Sequence, residues 1–167
     1  MKFTGAGEYD VMLLRLLRVL TMNTLETFRA GCNILDEVMN PHRFFLVEEA
    51  SGRSSGGDFA SGEYVRVDRR LEIHFRYSLG LVAYHIGKLL LTHEAYMRAV
   101  LGKSGGNRYP GFSDDPLDGF RHLSYDLSHF CEDFLTGSGE EFEHCVVKAQ
   151  EQEKIQGIKA LLSQGAA

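Results

Sequence analysis

Apolar positions along the chain change period twice, from helical to alternating and back to helical. From Glu8, Val11, Leu14, Leu17 and Leu20 recur every third residue while Arg15 and Arg18 fall off the stripe, which predicts an amphipathic helix to about Thr21. Leu25, Phe28, Cys32, Leu35 and Met39 then recur at three- and four-residue steps, predicting a second helix from Thr24 to Met39. Asn23 and Glu26 have the spacing of a capping box at its start. Pro41 ends it, because the residue before a proline is pushed out of the helical region.

The middle of the chain alternates. Leu71, Ile73, Phe75 and Tyr77 are separated by Glu72, His74 and Arg76, the period of two expected of a strand with one buried face. Phe44–Glu48, Tyr64–Asp68, Leu81–Ile86 and Leu89–Leu91 read as further strands, with turns at Ser78–Gly80 and Gly87-Lys88. Ser51–Gly62, SGRSSGGDFASG, is so rich in Gly and Ser that a flexible hairpin loop is expected there. It carries neither a GxGxxG nor a glycine-rich turn ending in Lys-Ser/Thr, so it is not read as a phosphate cradle.

Three helices are predicted after the strands. Thr92 is placed to cap His93–Leu101, and Gly102 closes that helix. Asp115 followed by Pro116 is a strong helix start, and the helix is expected to reach Leu135. Ser138 and Glu141 form the pattern of a capping box for the last helix, whose first half presents Phe142, Cys145, Val146 and Ala149. Residues 151–167 are mostly polar and are expected to be a partly frayed tail.

These elements define a single α+β domain over residues 1–167. Its core is an antiparallel meander of four or five strands, about residues 44–91, flanked by N-terminal helices and by three C-terminal helices that cover one face. The segregated order excludes a doubly wound parallel sheet.

Composition narrows the class. With 44% hydrophobic and 25% charged residues the chain is an ordinary globular protein rather than a disordered one. No apolar run approaches the roughly 20 residues that span a bilayer, and the start MKFTGAGEYD lacks a basic region followed by an apolar segment, so a cytoplasmic location and no membrane contact are expected. Cys32, Cys131 and Cys145 are odd in number and show no CxxC, which argues against a disulfide framework and a structural zinc site and for small buried hydrophobes.

Charge is uneven. Residues 114–143 carry nine acids against one base, Arg121, inside a chain of net charge −5. Such a surface repels nucleic acid and attracts a basic protein. Arg66, Arg69, Arg70 and Arg76 are interleaved with Glu63, Asp68 and Glu72, so cross-strand ion pairs are expected of them.

Candidate chemistry is sparse. His122, Asp126, His129 and Asp133 are spaced four, three and four apart and fall within about 60° on one helix face. Leu117, Phe120, Leu123, Leu127, Phe130, Cys131 and Phe134 fall on the opposite face, so the His/Asp stripe is expected to point to solvent, where no second element supplies a metal pocket. His93-Glu94 is not an HExxH, because position 97 is Met. No GxSxG is present, and His74 and His85 lie on strands without a partner nucleophile. In the loop Tyr109–Ser113, Tyr109 and Phe112 are read as core anchors. The other reading is an aromatic hot spot rimmed by Asp114, Asp115 and Asp118.

The sequence therefore leads to a small acidic binding protein without a cofactor, metal or catalytic residue, of the kind that neutralises a basic nuclease-type bacterial toxin as an immunity protein. Its expected partner surface is Asp114, Asp115, Asp118, His122, Asp126, His129, Glu132 and Asp133. Alternatives are a small-ligand protein or enzyme with a histidine-containing pocket between sheet and helices, and a subunit that self-associates through the last helix.

Overall fold

A computed structural model describes residues 22–102 and 105–164, so the helix predicted over Glu8–Thr21 lies outside the described residues. The order is α1 (Thr24–Met39), a 3-10 turn (Asn40–His42), β1 (Phe45–Ser54), β2 (Gly57–Arg66), β3 (Arg69–Phe75), β4 (Leu79–Ile86), β5 (Leu89–Thr92), α2 (His93–Leu101), α3 (Asp118–Phe130), α4 (Glu132–Leu135) and α5 (Glu140–Gln164). The strands pair antiparallel in the order β1-β2-β3-β4-β5. The fold is α+β, a five-stranded meander with one face under the helices.

The core lies between that face and the helices. Leu71, Ile73 and Phe75 of β3 are buried, whereas Arg70, Glu72 and His74 between them lie on the open face. Aromatic contacts join the layers: Phe120 of α3 packs on Phe75 of the sheet and on Phe28 of α1, and Phe134 of α4 packs on Tyr84 of β4. Cys32, Cys131 and Cys145 are buried and unbridged, and burial pushes the Cys32 thiol up to about 12. Among the described residues no helix is long and apolar enough to cross a membrane.

α1 begins as the sequence requires. The Asn23 side chain accepts from the Glu26 amide at 2.9 Å, and the Glu26 carboxylate accepts from the Asn23 amide at 2.9 Å. Beyond Met39, Pro41 enters the 3-10 turn, and Arg43 takes a left-handed conformation (φ 64°) that turns the chain into β1.

The segment Ser51–Gly62 corrects the expected loop. β1 and β2 pair from Phe45↔Val65 to Ser54↔Gly57, with a bulge between Glu48 and Ala50, so these residues are strands joined by a tight turn. Pairing uses backbone groups, which Gly and Ser supply as well as any residue, and here the small residues are needed. A Cβ on Gly62 would stand 2.9 Å from the Val47 carbonyl oxygen and 3.3 Å from the Phe28 ring. α1 can lie on β2 because position 62 has no side chain. The alternation expected through Tyr77 stops at Phe75, and Tyr77 is exposed.

The helix expected from Pro116 to Leu135 is two helices. Asp115 accepts from the Leu117 amide at 2.9 Å and leads into α3, and the chain leaves helical geometry at Cys131 (φ −111°, ψ 29°) before α4. The start of α5 is also a correction. The Asp133 carboxylate accepts from the Gly139 amide at 3.1 Å and the Phe142 amide at 2.9 Å, while Ser138 takes only the Glu140 amide at 3.3 Å. An ionised carboxylate is the stronger acceptor, so it displaces the hydroxyl of the predicted box.

Of the arginines expected to pair across strands, Arg70 does so with Glu63 at 3.4 Å. Arg69 instead is buried and donates to the carbonyls of Asp133, Phe134 and Gly137 at 2.9, 2.7 and 3.0 Å, and Arg66 reaches the Leu135 carbonyl at 2.5 Å. The bonds to Phe134 and Leu135 supply donors that the four-residue α4 lacks, while Asp133 already accepts from the Gly137 amide and Gly137 lies in the turn beyond the helix.

Replacing Gly62 with Ala is expected to lower stability by about 1–3 kcal/mol, because the Val47 backbone cannot move aside without disturbing the β1–β2 ladder. Urea denaturation of the variant beside the wild type measures it, and an unchanged midpoint would refute the close-packing argument.

Candidate protein-binding face

The eight residues expected to form one acidic surface separate into three groups. Asp126 is completely buried, which corrects its expected place on the outward stripe. Helical arithmetic puts Asp126 on the flank of the apolar face, and the loop before α3, whose path the sequence does not reveal, closes over that flank. Asp133 is half-buried and serves as the cap of α5. Asp114, Asp115, Asp118, His122, His129 and Glu132 lie at or near the surface.

Asp126 holds the loop. One carboxylate oxygen accepts from the Arg108 amide at 2.7 Å, and the other accepts from the Tyr109 amide at 2.8 Å and stands 3.1 Å from Nε2 of the buried His93. With both oxygens already taking amide protons, Nε2 is the donor to the carboxylate. Nδ1 of His93 lies 2.7 Å from the Tyr84 hydroxyl, which the Cys131 thiol approaches at 3.8 Å. The chain Cys131–Tyr84–His93–Asp126 has the form of a proton relay, yet His93 is 2% and Asp126 0% exposed, so it is closed to solvent. It is a clasp joining β4, α2, α3 and the loop.

The loop is fixed on both sides of its tip. Before it, Tyr109 is buried, donates its hydroxyl to the Leu79 carbonyl at 3.0 Å and meets the His93 ring edge-on at 5.2 Å. After it, Ser113 donates to Asp118 and accepts from the Asp115 amide at 3.1 Å, while Arg121 bonds both Asp115 and Asp118. The Ser113 hydroxyl and the Arg121 guanidinium hold the Asp118 carboxyl below its ordinary range. Between these fixed points Phe112 projects entirely into solvent, 111% exposed relative to a free residue. The reading of Phe112 as a core anchor is therefore corrected, and that of Tyr109 holds.

The outward face of α3 continues from this tip as aromatic as it is acidic. The Arg108 guanidinium lies 3.4 Å over the Tyr125 ring, and His129 stacks on Tyr125 at 3.8 Å. His129 is tied back by Nδ1 to the Tyr125 carbonyl at 2.8 Å. His122 lies under Gly111, where a Cβ would stand 2.7 Å from its Nδ1. Glu132 is exposed at the far end.

His74 and His85 do not meet the helices. They lie on the open sheet face, where their Nε2 atoms stand 2.8 and 3.1 Å from the two oxygens of Glu72. Burial alone would raise the Glu72 carboxyl, but the hydrogen bonds from the two histidines outweigh it and hold it below its ordinary 4.5. Among the described residues no group of three or more His, Cys, Asp or Glu could hold a metal ion.

Sequence reasoning weighed His93 only as part of an HExxH and did not single out Tyr84. Their signal was weak: a histidine directly after a helix cap, and a tyrosine on the inward register of a strand. The arrangement defines a two-layer α+β protein that displays an aromatic and acidic face. The chain has no match among protein-family models, curated proteins or solved structures.

Asp126→Ala is expected to cost about 3–5 kcal/mol, because it strands the buried Tyr109 amide, the half-buried Arg108 amide and the buried His93 Nε2–H. Guanidinium denaturation measures this, and a loss below 1 kcal/mol would mean that the clasp is not under tension from those donors. For Glu72 the folded carboxyl lies below the unfolded one, so its stabilisation is present above pH 4.5 and lost as pH falls through the folded value. The melting-temperature difference between wild type and Glu72→Gln should hold down to about pH 5 and shrink below 4.5. A difference that instead grows on acidification would contradict this sign.

Proposed function

We propose that the protein is a small protein-binding protein that docks a basic partner on the Phe112 loop and the outward face of α3. The observation that carries this reading is Phe112: a large aromatic held fully in water by a loop whose neighbouring residues are clasped from inside. A free chain gains nothing by ordering a solvated phenyl ring, whereas a partner that covers it removes roughly 150–250 Å² of aromatic surface from water. Aromatic anchors on rigid supports are what hot spots consist of, since little ordering entropy is left to lose on binding.

The rim gives the partner its sign. Asp114 and Glu132 are exposed and have no ion pair among the described residues, and Asp115 and Asp118 share the single guanidinium of Arg121. An acidic rim around an aromatic centre steers a cationic surface into register and raises the association rate. The finer class this chemistry fits is an immunity protein that neutralises a basic nuclease-type toxin in the bacterial cytoplasm. Asp126 and Asp133, which the sequence placed on that surface, support it from within instead.

Matched baits of wild type, Phe112→Ala and Asp114→Lys/Glu132→Lys, exposed to lysate of the native host over a salt series, test the proposal. Phe112→Ala should weaken the captured basic partner by roughly 30-fold with no change in melting temperature, and the charge reversal should slow association and flatten its salt dependence. Capture that is indifferent to Phe112 would overturn it.

A further inference from the structure

At the end of the molecule where the 3-10 turn, the β2–β3 turn and α4 converge, a groove of two lobes opens, with Pro41, His42 and Thr136 lining both. The larger lobe, about 880 Å³, is walled by Phe45, Val65 and Val67. Phe45 is 69% and Val67 104% exposed, an unusual outlay of apolar surface for neighbouring strand ends. The smaller lobe, about 390 Å³, is flanked by Glu37, His129 and Glu132.

The charges around the groove are of three kinds, the first being Arg43, which lines the larger lobe, is exposed and has no ion pair among the described residues. Arg66 is engaged: its guanidinium donates to the Leu135 carbonyl and lies 5.0 Å from the Phe44 ring, so it seals the floor. Asp68 is likewise taken by Arg69 at 3.2 Å. Glu37 and Glu132 are exposed and carry no hydrogen bond or ion pair through their carboxylates among the described residues. An apolar wall thus leads directly into a lobe whose open charges are two carboxylates.

The geometry points to a peptide-docking groove that takes an extended segment of a protein, with an apolar side chain against Phe45, Val65 and Val67 and a Lys or Arg between Glu37 and Glu132. The two lobes share Pro41, His42 and Thr136, so the apolar and basic side chains lie close together along the peptide. The two unpaired carboxylates disfavour a nucleic acid backbone in the smaller lobe, and the concave shape suits a chain rather than a flat membrane surface. The groove shares Glu132 with the acidic rim of the docking face but does not depend on Phe112.

Titration of the ¹⁵N-labelled full chain with Ac-Leu-Ala-Lys-NH₂, Ac-Leu-Ala-Glu-NH₂ and Ac-Ser-Ala-Lys-NH₂ tests it. The first peptide should shift the amides of His42, Arg43, Val67, Glu132 and Thr136 saturably, and each of the others should bind at least about fivefold more weakly. Glu37→Gln/Glu132→Gln should abolish the preference for Lys over Glu, Val67→Ser the preference for Leu over Ser, and Phe112→Ala should change neither. Absent shifts, shifts outside the groove, or equal binding of the three peptides would overturn the inference. So would a dimer in sedimentation that Val67→Ser dissolves, since the groove would then be an interface between copies.

Discussion

The carboxylate of Asp126 is the interaction on which the outer architecture depends. Withdrawing an ion from water costs several kcal/mol, and charge-assisted hydrogen bonds return roughly 1.5–3 kcal/mol each. Three such bonds, from the Arg108 and Tyr109 amides and from His93, are what make the burial tolerable. They come from two separate parts of the chain, the loop and α2, and through Tyr84 the arrangement reaches the sheet. The balance closes only when all parts are docked, so the site acts as a latch for assembly of sheet, α2, α3 and loop.

The same logic recurs one turn beyond α3. α4 has only four residues, and among the described residues backbone amides bond the carbonyls of Glu132 and Asp133 but not those of Phe134 and Leu135. The buried Arg69 takes three carbonyls from α4 and the turn after it, and the Asp133 carboxylate turns the other way to cap α5. A strand arginine and a helix aspartate thereby fix a junction that apolar packing alone would leave loose. Acids that look in the sequence like one solvated band are shared between structure and surface: Asp126 and Asp133 hold the fold, Asp115 and Asp118 hold the loop, and Asp114 and Glu132 remain open to solvent.

This sharing explains what the sequence reveals and what it conceals. α1, α2 and the meander are legible because capping side chains and apolar periods are local: Asn23 with Glu26, Thr92 before His93, and the alternation of Leu71, Ile73 and Phe75. The β1–β2 hairpin is not, since the residues that permit it are small so that α1 can approach, and smallness reads in a sequence as flexibility. Asp126 is illegible for a different reason. Its angular position on α3 is ambiguous between flank and surface, and the element that decides it is a loop without periodicity, contributing two backbone amides that no side-chain pattern announces. Likewise Tyr109 and Phe112 are alike on the page, and only the buried partners of Tyr109, the Leu79 carbonyl and the His93 ring, separate the anchor from the displayed residue.

A buried clasp beneath an exposed aromatic reconciles two demands that usually conflict. A surface meant for a partner gains from apolar area, while a loop carrying that area gains in the free protein by folding it inward. Here Tyr109 occupies the interior position, the Asp126 bonds to the Arg108 and Tyr109 amides fix the backbone beside it, and Gly111 over His122 leaves no room for a side chain at the bend. Phe112 is thus denied the interior by the residues on either side of it. The ordering entropy of the tip is borne during folding, when the core contacts of Tyr109 offset it, rather than at the moment of association. Such a display site is expected to bind with little structural change, so that affinity follows how well a partner covers one ring and matches the acids around it.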